Sequence, residues 1–292
     1  MDIRDIKIDA PKLEANHLEF LFENGNEQLD QYINLEGLPE YPVDVNLRNS
    51  QVILKDFIGR IIEELFEGYE SLMEAVSDSN ILNFSILTRS DYRKLLNTLQ
   101  NANEEQADAI GFFIPLMVYS NILPEDIYNY SKEVLGFEAK SLNQLMSVGV
   151  GLLIKDGYKD RDGYIRTWNL LSVELISQVF DLSKDEAESW YNRIVEYTPG
   201  FNRLSPYKVE EEGRLQLWGI IYQLNISRNI LKNRPWKQTT VMTKELDFQE
   251  SVVKSFIYYL GYLACNGFDQ DNLVTLFNRK QALNLWRIKT GY

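Results

Sequence analysis

The chain has 292 residues, 45% hydrophobic and 12% aromatic, with a formal net charge of −13, so it can bury a substantial core. Its negative charge speaks against general nucleic-acid binding, which depends on a basic surface that displaces counterions. One cysteine, Cys265, and one histidine, His17, exclude an internal disulfide framework and a Cys- or His-rich metal site. Any bound metal is then held by carboxylates, which suits Mg²⁺ or Mn²⁺.

The N-terminus MDIRDIKIDA has no basic region followed by an apolar run, and no segment reaches the roughly 18 apolar residues of a membrane span. The expected location is the cytoplasm, with no membrane partner. His17 lies in a mixed polar and apolar helical stretch and reads as structural.

Apolar residues recur at helical spacing in nearly every informative window, and strand-like alternation is almost absent, so the expected fold is all-α. A helix is predicted from about Asp56 to Val76, with Phe57, Ile58, Ile61, Ile62, Leu65, Phe66, Tyr69, Leu72 and Met73 on one half of its wheel. Its segment EELFE offers Glu64 and Glu67 beside the apolar stripe, three residues apart and therefore neighbours on one face. Glu63, Glu70 and Glu74 point further toward solvent.

A second helix, about Glu104 to Tyr119, is apolar nearly all round after its first turn, and Pro115 predicts a kink in it. Its EQAD segment pairs Glu105 with Asp108, whose face runs on into the core. Four carboxylates set against core faces are costly unless a cation neutralises them. A solvated acidic face is the plain alternative for either motif alone.

The polar stretch Lys155 to Asn169, KDGYKDRDGYIRTWN, breaks the helical pattern and is the expected boundary or mobile loop. Leu170 to Ile194 scans like a helix-turn-helix, with Ser183 and Glu186 as a capping box. Asp181, Asp185, Glu186 and Glu188 would repel DNA there, so a structural helix pair is expected. Cys265 falls in an apolar helix and is expected in the core.

Near the end of the chain, RPWKQ places Trp236 and Lys237 in a turn. NRKQALNLWRIKTGY then sets Lys280, Asn284 and Arg287 along one stripe of a final helix, followed by Tyr292. Two cations and an amide at that spacing can track a polyphosphate; a basic helix end facing the macrodipole would look similar.

A faint repeat runs through the chain. Ile58–Leu65 aligns with Leu217–Leu224, and Glu104–Tyr128 aligns without gaps with Glu250–Val274. Glu64, Glu67, Glu105 and Asp108 of the first copy correspond to Gln223, Ile226, Ser251 and Lys254 of the second. The acidic cluster belongs to one half only. The expected organisation is 1–154 as an N-terminal half with the acidic helices, 155–200 as a mobile segment with linking helices, and 201–292 as a degenerate repeat with a phosphate-binding helix.

E-E-x-x-E followed by E-x-x-D, with the Lys280 to Tyr292 pattern and a W-K turn, resembles the all-α nucleoside triphosphate pyrophosphohydrolases: MazG proteins, dimeric dUTPases and phage dCTPase/dUTPases. GYKDRDGYIRTWN is similar to a mobile segment of the dimeric dUTPases, although the Lys/Asn/Arg positions that precede it there are apolar here. The family asparagine after the first lysine is Gln281, and Phe112 or Gly111 replaces a family histidine.

The resemblance implies Mg²⁺ held by Glu64, Glu67, Glu105 and Asp108, and phosphates bound by Lys280, Asn284, Arg287 and Tyr292 with help from Lys237. It further implies contacts to the nucleotide from Trp236, Tyr158, Arg166, Trp168 and Asn169. The implied reaction is hydrolysis of a deoxynucleoside triphosphate, dUTP or dCTP, to monophosphate and pyrophosphate. The alternative is an inactive nucleotide-binding or regulatory protein on the same frame. A homodimer is compatible with either. The stretch from Ser77 to Asn101 is longer than in compact members and is expected to loop out.

Overall fold

Local sequence chemistry sets where helices start and stop. In the computed structural model, which describes residues 16–81, 89–159, 173, 177, 182–197, 206–233 and 240–290, every regular element is a helix and no strand occurs among the described residues. Helix α1 (His17–Glu36) begins at Asn16, whose side chain accepts from the Leu18 N–H, and ends at Gly37 in the left-handed region at φ 66°. That conformation suits glycine, and the Gly37 N–H closes the last turn onto the Ile33 carbonyl at 3.0 Å.

Helix α2 covers Arg48–Ile81 and α3 covers Arg89–Asp108. The described parts of the stretch expected to loop out between Ser77 and Asn101, 77–81 and 89–101, are therefore helical and belong to α2 and α3. The helix expected from Glu104 to Tyr119 is interrupted at Ala109, and α4 (Ile110–Tyr119) runs on through Pro115. The Ala109 carbonyl accepts from Phe113 N at 2.9 Å, so the new helix starts at once.

Helix α5 (Pro124–Glu133) starts with proline in its first turn, and Asp126 accepts from the Leu123 N–H at 2.8 Å. Helix α6 (Leu142–Lys155) is capped by Ser141. Helix α7 (Lys184–Tyr197) shows the expected capping box: Ser183 N donates to Glu186 Oε2 at 3.0 Å and Glu186 N donates to Ser183 Oγ at 3.3 Å. Three long helices follow: α8 (Pro206–Ile230), α9 (Glu245–Cys265) and α10 (Gln270–Thr290).

The core centres on α4 and α9. Phe113 stacks on Tyr259 with centroids 5.1 Å apart, and Tyr258, Tyr259 and Tyr262 are all buried. Helices α6 and α9 cross at Gly149 and Gly261, where a Cβ on Gly149 would lie 2.1 Å from the Ile257 carbonyl oxygen. Only hydrogens fit at that crossing. Packing joins the first and third of the expected stretches, because α10 lies on α1 and α3, α2 on α8, and α6 on α9. Cys265 is partly buried against this core.

A buried amide clasp joins the start of α2 to the far end of α8. Gln51 Nε2 donates to the Val45 carbonyl and to Thr243 Oγ1, while its Oε1 accepts from Asn233 N at 2.8 Å. Asn233 in turn bonds the backbone of Asn46 and Val241. His17 bonds Asp271 at 2.8 Å, so α1 and α10 begin side by side. Among the described residues no single helix is long and apolar enough to cross a membrane; Asn101–Tyr119 and α5 pass that test only as a pair bent by 88°.

The aligned repeat is matched only in part. Ile58–Leu65 lies in α2 and Leu217–Leu224 in α8, but Glu104–Tyr128 covers the end of α3, all of α4 and the start of α5, whereas Glu250–Val274 lies in the unbroken α9 and the start of α10. Where the first pair carries acids, the second has buried Gln223 and a Ser227–Ser251 hydroxyl contact of 2.8 Å.

Candidate metal centre and cavity

The acidic cluster depends on how closely α2 and α3 approach. Gly68 packs on Gln106, and a Cβ there would lie 2.9 Å from the Gln106 backbone N and Cα. Asn101 donates to Ser71 Oγ at 3.3 Å further along the same pair, so the helices run antiparallel. One turn before Gly68, Glu64 therefore faces Glu105 and Asp108. Carboxylate oxygens of these three residues all lie within 4.8 Å of one another. Glu67 is exposed at the rim of the same cavity and stands outside that close group.

Burial, reinforced by the charges of Glu67 and Glu105, pushes the Glu64 carboxyl up to about 7, with Lys280 acting against the shift. Burial also pushes Asp108 upward, again opposed by Lys280. The Lys280 Nζ lies 2.6 Å from Asp108 Oδ2. Burial works against the lysine's charge, but Asp108, Glu105 and Glu104 outweigh it and hold Lys280 above its ordinary value. An all-oxygen, anionic donor set of this kind fits a hard divalent cation.

The cluster opens into a cavity of about 640 Å³. Asn284 and Arg287 line it together with Lys280, as the spacing on the last helix predicts. Arg60 adds a cation that the sequence reading passed over: it bonds Asp56 at 3.1 Å and lies 5.7 Å from the Phe112 ring centre. Its signal was its place one turn before Glu64. Beyond the acids the lining becomes apolar, with Leu29, Val52, Ile53, Phe57, Pro115 and Phe277.

Tyr259 was also missed, hidden in an apolar tyrosine-rich run. It is fully buried, and its hydroxyl donates to the Gln106 carbonyl at 2.6 Å, which ties α9 to the turn carrying Glu105 and Asp108. Burial, then Asp108, pushes its ionisation far upward, so it remains a donor.

Tyr158 is placed away from this cavity. Its ring packs on Gly219, meets Tyr258 edge-on at 6.3 Å, and sits beside the Asp156 carboxylate that accepts from Tyr258. The following Lys159 pairs with Glu212 at 2.9 Å with both side chains largely buried. Arg166, Trp168, Asn169, Trp236, Lys237 and Tyr292 lie outside the described residues. The fold and site thus define an all-helical bundle with an acidic cavity edged by cations. The chain matches no family model, no curated protein and no solved structure.

Proposed function

We propose that this protein is a Mg²⁺-dependent nucleoside triphosphate pyrophosphohydrolase that acts on a deoxynucleoside triphosphate such as dUTP or dCTP. The observation that carries the proposal is the meeting, in one cavity, of the Glu64–Glu105–Asp108 oxygens with Lys280, Asn284 and Arg287. The motif resemblance to the MazG and dimeric dUTPase proteins points the same way. Glu64, Glu105 and Asp108 would hold the cation, with Glu67 at the rim. A bound divalent ion supplies neutralisation of phosphate charge and polarisation of a water.

Lys280 and Arg287 carry the phosphate contacts, and Asn284 adds a neutral donor. Glu64, beside the attacking water as well as the cation, would orient that water. Water attacks the α-phosphorus, the bond to the α–β bridging oxygen breaks, and pyrophosphate leaves with that oxygen. The Lys280–Asp108 ion pair favours a second reading, in which the lysine keeps one ligand engaged and the protein binds nucleotide without turnover.

The test is incubation with each deoxynucleoside triphosphate and Mg²⁺, with the products separated chromatographically. Monophosphate and pyrophosphate are expected, and Glu105→Gln should abolish them while leaving the helical spectrum intact. Diphosphate with inorganic phosphate, or turnover unchanged in Glu105→Gln, would overturn the assignment. Binding without turnover in the wild type would select the second reading.

A further inference from the structure

At the apolar end of the cavity, α10 presents a buried amide. Gln281 is 3% exposed and lines the cavity, and neither its Nε2 nor its Oε1 has a hydrogen-bond partner. Native proteins pair nearly all of their buried polar groups. A glutamine that leaves both a donor and an acceptor open, inside a cavity rather than in solid core, marks a place where a ligand supplies the missing partners.

The helix register places this amide. Helices α1 and α10 start together at His17 and Asp271 and run side by side, which brings Gln281 level with Gln28 and Leu29 of the cavity wall. Helix α1 passes α4 in the opposite sense, because Asn16 accepts from Tyr128 of α5, beyond the C-terminal end of α4, and Gly25 packs against Ile114 within α4. Gln281 therefore lies on the side of Phe112 and Pro115, while Asn284 and Arg287 continue along α10 toward Glu105. Lys280 and Gln281 leave the helix about 100° apart, so adjacent residues face different walls of one cavity.

We propose that Gln281 reads the base of the bound nucleotide: its amide pairs in plane with a nucleobase edge that carries one donor and one acceptor side by side. The proposal rests on the nucleotide reading of the cavity. An amide offers this complement in its own plane, with N–H and C=O pointing the same way. The surrounding Phe277, Leu29 and Pro115 supply the apolar walls that a base face requires. Gln281 is thus a specificity-determining residue, whereas the residues at the acidic end bind what all nucleotides share.

The experiment titrates the full chain, with Mg²⁺, with the α,β-imido analogues of the deoxynucleoside triphosphates and, separately, with inorganic tripolyphosphate. Wild type should bind at least one analogue more tightly than tripolyphosphate. Gln281→Leu should lose that margin by about tenfold or more, because discrimination comes from the paired amide, while its tripolyphosphate affinity holds within about twofold. Without ligand, Gln281→Leu should melt no lower than wild type, since the substitution removes an unpaired buried amide.

A lower melting temperature, an unchanged analogue margin, or equal weakening of both ligands would each overturn the proposal. Should Gln281→Leu fail to fold, Gln281→Met, which keeps the length and removes the amide, must show the same loss of margin. Failure of the wild type to bind either ligand would instead overturn the nucleotide reading itself.

Discussion

The ammonium of Lys280 lies 2.6 Å from Asp108, so the last helix delivers its cation directly to the carboxylate cluster of α3. A divalent ion held by the cluster would compete with the lysine for the same oxygen. Lys280→Ala should tighten Mn²⁺ binding to the free protein severalfold, measured by electron paramagnetic resonance. It should also weaken triphosphate binding about tenfold or more, as expected for loss of a charge-assisted phosphate contact. Changes of the same sign in both would show that Lys280 acts only as a structural partner of Asp108.

Protonation of the cluster should register in stability. Glu64 titrates near 4.5 in an unfolded chain and at about 7 in the fold. A raised carboxyl favours the fold while protonated, so its contribution is complete below about pH 4.5 and is lost as pH rises through about 7. The metal-free protein should therefore melt lower at pH 8 than at pH 5.5, by a few degrees beyond what overall charge repulsion causes. Glu64→Gln should flatten that part of the profile, and Mg²⁺ should stabilise more at pH 8 than at pH 5.5. An identical profile for Glu64→Gln would remove Glu64 as its source.

The α2–α3 approach at Gly68 should be intolerant of any side chain. Alanine favours a helix over glycine by about 1 kcal/mol, yet its methyl would press on the Gln106 backbone at 2.9 Å. Gly68→Ala should lower the melting temperature and weaken divalent-ion binding together, because separating the helices parts Glu64 from Glu105 and Asp108. Gly111→Ala, which meets nothing within 4 Å, is the matched control and should lower neither. A neutral Gly68→Ala would show that the pair relaxes without disturbing the cluster.

Phosphate binding should depend on position along α10 and not on charge alone. Arg287→Ala removes a planar guanidinium from the cavity lining and should reduce nucleotide affinity about ten- to hundredfold, the range for a charge-assisted contact of roughly 1.5–3 kcal/mol. Lys289→Ala removes the same charge two residues on and should do far less. Equal losses, compared by calorimetric titration, would reveal a diffuse basic patch.

Spacing along single helices was legible in the sequence because it is a local property. Period 3.6 identified the helices around Glu64, Glu105 and Lys280 and predicted which side chains share a face. Relations between helices were not legible in that way. Nothing about Gly68 in EELFEG announces a backbone contact with Gln106, and Arg60 joins the cavity only because α4 brings Phe112 beneath it. Tyr259 looked like an ordinary core residue, and Gln281 stood out only as the replacement for a family asparagine, until their hydrogen-bond accounts were known, one complete and the other open. The Ser77–Asn101 stretch differs for another reason: the expected loop rests on the resemblance to compact proteins, whereas the described residues of the stretch are helical.

The order of the parts along the chain has a consequence for how the molecule is made. All the acids of the cluster lie between Glu64 and Asp108, whereas Lys280, Asn284 and Arg287 arrive with α10, after the intervening core helices. A ribosome therefore releases the anionic half of the cavity well before its counter-charges exist. In that interval the nascent chain holds clustered carboxylates whose mutual repulsion opposes closure of α2 on α3. A bound divalent cation, or protonation, would relieve that repulsion until the final helix docks.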